Sequence, residues 1–170
     1  MTDYHGAARS GQKRENNLKT KFQDCGYTLI KLKKECKQIN LPYEGTIRII
    51  PDDEYQQDGY KYFLVDGVCP ELNSYVELKG GDKQGTTEEK IWFDLQKIAD
   101  GVYADYPLLY IFEGKKETDK STKKFIRDLN KLKCSGNIYA QNVRILMSSN
   151  INQILLDTLR TNLNERSELH

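Results

Sequence analysis

The stretch Phe63-Leu64-Val65-Asp66-Gly67-Val68-Cys69-Pro70-Glu71-Leu72-Asn73-Ser74-Tyr75-Val76-Glu77-Leu78-Lys79 constrains the fold more than any other part of the chain. Two apolar, strand-like runs flank a Pro/Asn/Ser turn, which is the pattern of a β-hairpin. With the hairpin centred on Glu71 and Leu72, Asp66 falls opposite Glu77, and Lys79 lies two residues further on. Strand side chains alternate between faces, so Glu77 and Lys79 share one side and Val76 and Leu78 the other. Two carboxylates and an ammonium then stand on a rigid sheet backed by an apolar face, with both acids expected at its surface. Oxygen ligands in that setting suit a divalent cation beside a polarised water. A Glu-x-Lys strand is also the ordinary solvated face of a half-buried sheet, so the surrounding elements decide between the two readings.

Those elements can be placed in outline. Residues 1–9 read as a loose tail, and Ser10 can cap a helix running to about Cys25 with Leu18, Phe22 and Cys25 inward. Glu15, three residues before Leu18, falls on the same face. A carboxylate there either finds a partner or is a first-turn acid favoured by the helix dipole. Gly26 ends the helix, and residues 27–32 are either a strand or a helical continuation. Residues 46–50 look like a strand, residues 52–59 like a polar loop, and residues 60–69 and 75–78 like the two arms of the hairpin. Thr86 and Glu89 have the spacing of a capping box that opens a helix burying Ile91, Leu95 and Ile98, with Trp92 alongside, up to Gly101.

Residues 107–112 form a continuous apolar run, as expected of a strand covered on both faces. Residues 118–132 read as a helix with Phe125, Leu129 and Leu132 inward. Residues 143–147 read as a strand, and Asn150 as the cap of a last helix carrying Ile151, Leu155, Leu159 and Leu163. The expected fold is one α/β domain over residues 1–170: a central mixed β-sheet with helices on both faces, its later strands parallel.

Composition narrows the chemistry. The 170 residues carry a formal net charge of +1, which announces no nucleic-acid binder, but lysines crowd residues 31–37 and 115–124 while Asp52, Asp53 and Glu54 form an acidic knot. Segregated charge of this kind lets one face meet phosphates. The four cysteines form no Cys-x-x-Cys pair and the two histidines stand near the ends, which argues against zinc. Free thiols, with Cys25 and Cys69 in the core, and the absence of an apolar leader or of a run near the roughly 18 residues that span a membrane point to a cytoplasmic protein.

Asp66, ten intervening residues, then Glu77-Leu78-Lys79 resembles the motif of the PD-(D/E)XK nucleases. The hairpin, the preceding helix bearing Glu15, and the following helix and strand are similar to that family's common core, over roughly residues 8–113. Within the superfamily the chain looks most like a small type II restriction endonuclease, and the stretch from Gly80 to Ile91 is similar to the segment after the active-site lysine in several such enzymes. Val65 stands where the motif name has proline, and Pro51-Asp52 offers a rival acid. Asp66 is preferred because it faces Glu77 across a short hairpin.

The resemblance implies a restriction-endonuclease-like fold and Mg²⁺-dependent, sequence-specific hydrolysis of double-stranded DNA by a homodimer. Asp66, Glu77 and the Leu78 carbonyl would hold the metal and Lys79 would orient the attacking water. Glu15 would hold a second metal through water or fix Lys79 by a salt bridge. Lys83, Gln84, Thr86, Thr87 and Lys90 would approach DNA. Asn137, Tyr139, Gln141 and Asn142 are a further candidate for reading adenine. The alternatives are a structure-specific nuclease, such as a Holliday-junction resolvase or repair nickase, and a non-catalytic DNA-binding domain on the same scaffold.

Overall fold

The computed structural model describes residues 4–31, 38–40, 46–48, 65–80, 86–103 and 106–167. Its first element, α1 (Tyr4–Asp24), begins earlier than Ser10, so part of the expected tail is helical. The run Ala7-Ala8-Arg9 consists of strong helix formers, and no proline interrupts it. The helix closes at Gly26, whose φ of +81° is the left-handed conformation that glycine adopts without a side-chain penalty. The ambiguous segment after it contributes a two-residue strand, β1 (Ile30–Lys31). Strands β2 (Gln38–Asn40) and β3 (Thr46–Arg48) pair only with each other, as a small separate antiparallel sheet; β2 carried no recognisable alternation.

The hairpin forms from β4 (Gly67–Cys69) and β5 (Ser74–Lys79), joined by a 3₁₀ turn at Pro70–Leu72. Pro70 fits the first turn of such a helix, and Asn73 exits through φ 47°, a conformation that asparagine tolerates. Helix α2 (Thr86–Ala99), strand β6 (Leu108–Phe112), helix α3 (Lys120–Cys134), strand β7 (Val143–Met147) and helix α4 (Gln153–Ser167) complete the described chain. Asn152, not Asn150, caps α4: its side-chain oxygen accepts the Leu155 N–H at 2.9 Å.

The main sheet has the order β1-β4-β5-β6-β7. Its first two pairings are antiparallel and its last two parallel, so the fold is α/β with a mixed five-stranded sheet and helices on both faces. Alternation along β6 divides the core. Leu108, Tyr110 and Phe112 face Ile91, Leu95 and Ile98 of α2 and Phe125 and Leu129 of α3. Leu109 and Ile111 face Leu18 and Phe22 of α1 and Leu156 and Leu159 of α4. Every β6 residue is buried, as a continuous apolar run requires. Trp92, by contrast, is 60% exposed. At the β1–β4 junction the backbones approach so closely that a Cβ on Gly67 would lie 2.8 Å from the Ile30 carbonyl oxygen. No helix among the described residues is long and apolar enough to cross a membrane.

Candidate active site

The hairpin register pairs Gly67 with Val76 and Val68 with Tyr75. Continued by one residue, it sets Asp66 opposite Glu77, as the turn centre at Glu71 and Leu72 implied. One oxygen of Asp66 is fixed immediately: Oδ2 accepts the Leu78 N–H at 2.8 Å. Asp66 also lines a cavity of about 120 Å³ on the α1 side of the sheet, together with Glu15 and Lys31. Glu77 and Lys79 stand under α2, where the charge of Asp66 reaches both. The direct pairing sets the Asp66 and Glu77 side chains on one face at the end of the hairpin, beside Lys79.

Glu77 is not at the surface. It is only 4% exposed, because α2 crosses over this end of β5. Burial, reinforced by the charge of Asp66, pushes its carboxyl up to about 8 against the pull of Lys79. Lys79 Nζ stands 3.3 Å from Glu77 Oε2 and 2.9 Å from Oδ2 of Asp94. Burial alone would lower the pKa of this ammonium, but Glu77 and Asp94 outweigh it and the pKa is raised. Lys79 is thus a permanent cation at neutral pH.

Asp94, which no sequence motif singled out, is the hub of the cluster. Its Oδ1 pairs with Lys97 Nζ at 2.8 Å, and its Oδ2 also accepts the Tyr110 hydroxyl at 2.7 Å. Burial opposes its ionisation, but Lys79 and Lys97 hold its carboxyl below the ordinary range. The Tyr103 hydroxyl lies buried beside Glu77 without completing a hydrogen bond of normal geometry. A signal was available in the sequence. Asp94 occupies the stripe of Ile91, Leu95 and Ile98, so an acid was bound to turn inward with them.

Glu15 does not reach Lys79. It pairs with Lys31, which β1 brings across the α1-side cavity. Lys79 is committed to Glu77 and Asp94, so the expected salt bridge between Glu15 and Lys79 is not formed. The rival acid Asp52 lies outside the described residues, as do Lys83 and Gln84. Thr86 and Thr87 belong to the first turn of α2, but their side chains are not among those described; Lys90 is exposed on the same helix.

The amide-rich stretch before β7 is used structurally. Asn137 donates to the Ala99 carbonyl and accepts the Ala140 N–H, and Gln141 donates to the Lys133 carbonyl. Those contacts occupy the amides of Asn137 and Gln141.

The donor set can be weighed against a metal ion. Among the described residues no three His, Cys, Asp or Glu side chains converge into a closed metal cage. Asp66 and Glu77 offer two carboxylates, one with an oxygen already committed to a backbone amide. Magnesium is commonly held by one or two carboxylates and completed by water and substrate phosphate, so an open set of this kind fits it. Three carboxylates (Asp66, Glu77, Asp94) and two ammoniums (Lys79, Lys97) leave one negative charge if all ionise. That imbalance, in a buried setting, is what the raised Glu77 reflects. Comparisons of this chain with protein-family models, with curated proteins and with solved structures find no match.

Proposed function

We propose that this chain is a Mg²⁺-dependent, sequence-specific endonuclease of double-stranded DNA, related in its site to the PD-(D/E)XK enzymes and restriction-endonuclease-like in its core. The observation that carries the reading is the hairpin register: it brings Asp66 opposite Glu77 at the end of β5, with Lys79 anchored two residues beyond. The order α1, β1, β4–β5 hairpin, α2, β6 supports it, being the arrangement the resemblance implies.

Asp66, Glu77 and the Leu78 carbonyl would hold the metal. When bound, Mg²⁺ would supply Lewis-acid stabilisation of phosphate charge and a more acidic water. Lys79 is held charged, so it acts by donating hydrogen bonds and neutralising phosphate, not as a general base. Asp94, braced by Lys97 and Tyr110, keeps that ammonium in place. Lys90 is an exposed cation suited to backbone phosphate. One such site cuts one strand, so the reading entails a homodimer acting on a palindromic sequence.

The test is incubation with supercoiled plasmid in MgCl₂, with EDTA and the Asp66→Ala and Glu77→Ala variants as controls. Discrete linear fragments from the wild type alone are expected. Cleavage restricted to branched junctions would replace restriction by structure-specific cutting. Absence of any metal-dependent cleavage would overturn the nuclease reading.

A further inference from the structure

An open groove of about 920 Å³ runs between α2 and α3. Its floor is apolar, made by Ile91, Leu95 and Phe125. Its lip carries Trp92 and Phe93, 60% and 45% exposed. A large exposed indole beside a second exposed ring is uncommon on a surface that meets only water.

The rim is basic. Lys90, Lys120, Lys124 and Arg127 line it, against the acids Glu89 and Asp128. Asp128 is occupied by Lys124 at 2.5 Å, and the same ammonium sits 4.7 Å from the centre of the Trp92 indole. Lys90, Lys120 and Arg127 form no ion pair among the described residues. The groove thus combines an apolar trough with an excess of positive charge along its edges.

Three occupants can be compared on these features. A second copy docked about a twofold axis would set the basic rim against itself, which opposes association. Nucleic-acid interfaces are more polar than protein interfaces, whereas this floor is aliphatic and aromatic. An amphipathic helix with apolar residues at i, i+3, i+4 and i+7 and acidic flanks satisfies both features: its apolar stripe fills the trough and its carboxylates meet the rim. We infer that the α2–α3 groove is a docking site for an acidic amphipathic helix of a partner protein, with Trp92 as its principal anchor. Tryptophan and arginine are the residues that most often dominate such contacts.

Trp92 is the only tryptophan of the chain, so its fluorescence reads the groove directly. The probe is a synthetic helical peptide with Leu and Phe at i, i+3, i+4 and i+7 and Glu elsewhere. Its controls are a scrambled peptide of the same composition and a single-stranded DNA oligonucleotide. The amphipathic peptide is expected to shift the emission to the blue, saturably and with one site per chain, and to weaken as salt rises. Lys120→Glu with Arg127→Glu should raise Kd about tenfold or more, and Trp92→Ala, followed by calorimetry, about thirtyfold. Trp92 is exposed, so its variant should melt as the wild type does.

No saturable shift up to about 1 mM peptide overturns the inference, as does an equal response to the scrambled sequence. Displacement of the bound peptide by the oligonucleotide overturns it in favour of a nucleic-acid track, whereas oligonucleotide binding that leaves the peptide in place belongs to the candidate active site. A shift that appears with protein concentration alone overturns it in favour of self-association.

Discussion

Burial of Glu77 makes the metal-free protein less stable as pH rises through neutrality, and Glu77→Gln should remove that dependence. The carboxyl is ordinarily near 4.5 and is pushed up to about 8 in the fold. Between those values the folded chain holds a proton that the unfolded chain has released, so stability falls with increasing pH. At about 1.4 kcal/mol per decade, the loss between pH 6 and pH 8 is about 2 kcal/mol, allowing for partial ionisation near the upper value. For a chain of this size that is a fall in Tm of roughly 4 to 8 °C.

The groups facing Glu77 define the control. Asp66 and Asp94 add negative charge, Lys79 and Lys97 offset it, and Tyr103 lies alongside. The lowered carboxyl of Asp94 contributes stability that is lost only as pH falls well below this window. The assay is thermal or urea unfolding at pH 6, 7 and 8 in EDTA, wild type against Glu77→Gln. The difference between the two isolates Glu77 from every other titrating group. If wild-type stability is flat or rises over that range, or if the Gln variant keeps the same slope, the reasoning about this buried acid is wrong. Mg²⁺ should raise the wild-type Tm more at pH 8 than at pH 6, because proton and cation compete for the same carboxylate.

Further outcomes are expected. Asp94→Asn leaves Lys79 and Lys97 short of a buried counter-charge and should cost about 3 kcal/mol by urea unfolding. If the chain is a nuclease, the same variant should cut about 100-fold more slowly with DNA affinity unchanged, since it displaces Lys79 and not the substrate. Gly101→Ala should cost about 1 to 2 kcal/mol, because φ +79° is strained for alanine and the new Cβ would approach the Tyr139 ring to 2.8 Å. Cleavage should run with Mg²⁺ or Mn²⁺ and stop in EDTA, while Ca²⁺ supports DNA binding with little turnover; activity in EDTA would exclude the proposed chemistry.

How much the chain reveals of its fold depends on how local each signal is. The β4–β5 register was legible because a short turn ties it, and a one-residue slip would have exchanged the faces of Val76 and Glu77. Residues 108–112 were legible because five consecutive apolar side chains permit little but a strand covered on both sides. The cap of α4 moved from Asn150 to Asn152 because both can accept an amide and only the local geometry chooses. Strand β1 stayed ambiguous because two residues carry no period; its pairing with β4 decides it.

Burial of Glu77 and commitment of Lys79 to Asp94 were not legible, since both depend on which helix crosses β5. Asp94 itself was within reach. The logic that marks Glu15, an acid on an apolar stripe, applies more strongly to a residue between Ile91 and Leu95. Glu15 resolved instead toward Lys31, a partner that only the sheet brings near.

Gly67 has a consequence for how this site can change. The β1 backbone leaves it no room for a methyl group, so any side chain there must push β1 away from β4. Lys31, which holds Glu15, rides on β1, and Asp66, one residue before Gly67, is pinned to the Leu78 amide. A single added carbon at a position with no functional group would therefore shift an acid on each side of the α1-side cavity at once. Mutational scans should find Gly67 as intolerant as Asp66, with loss of function in the absence of any lost chemistry.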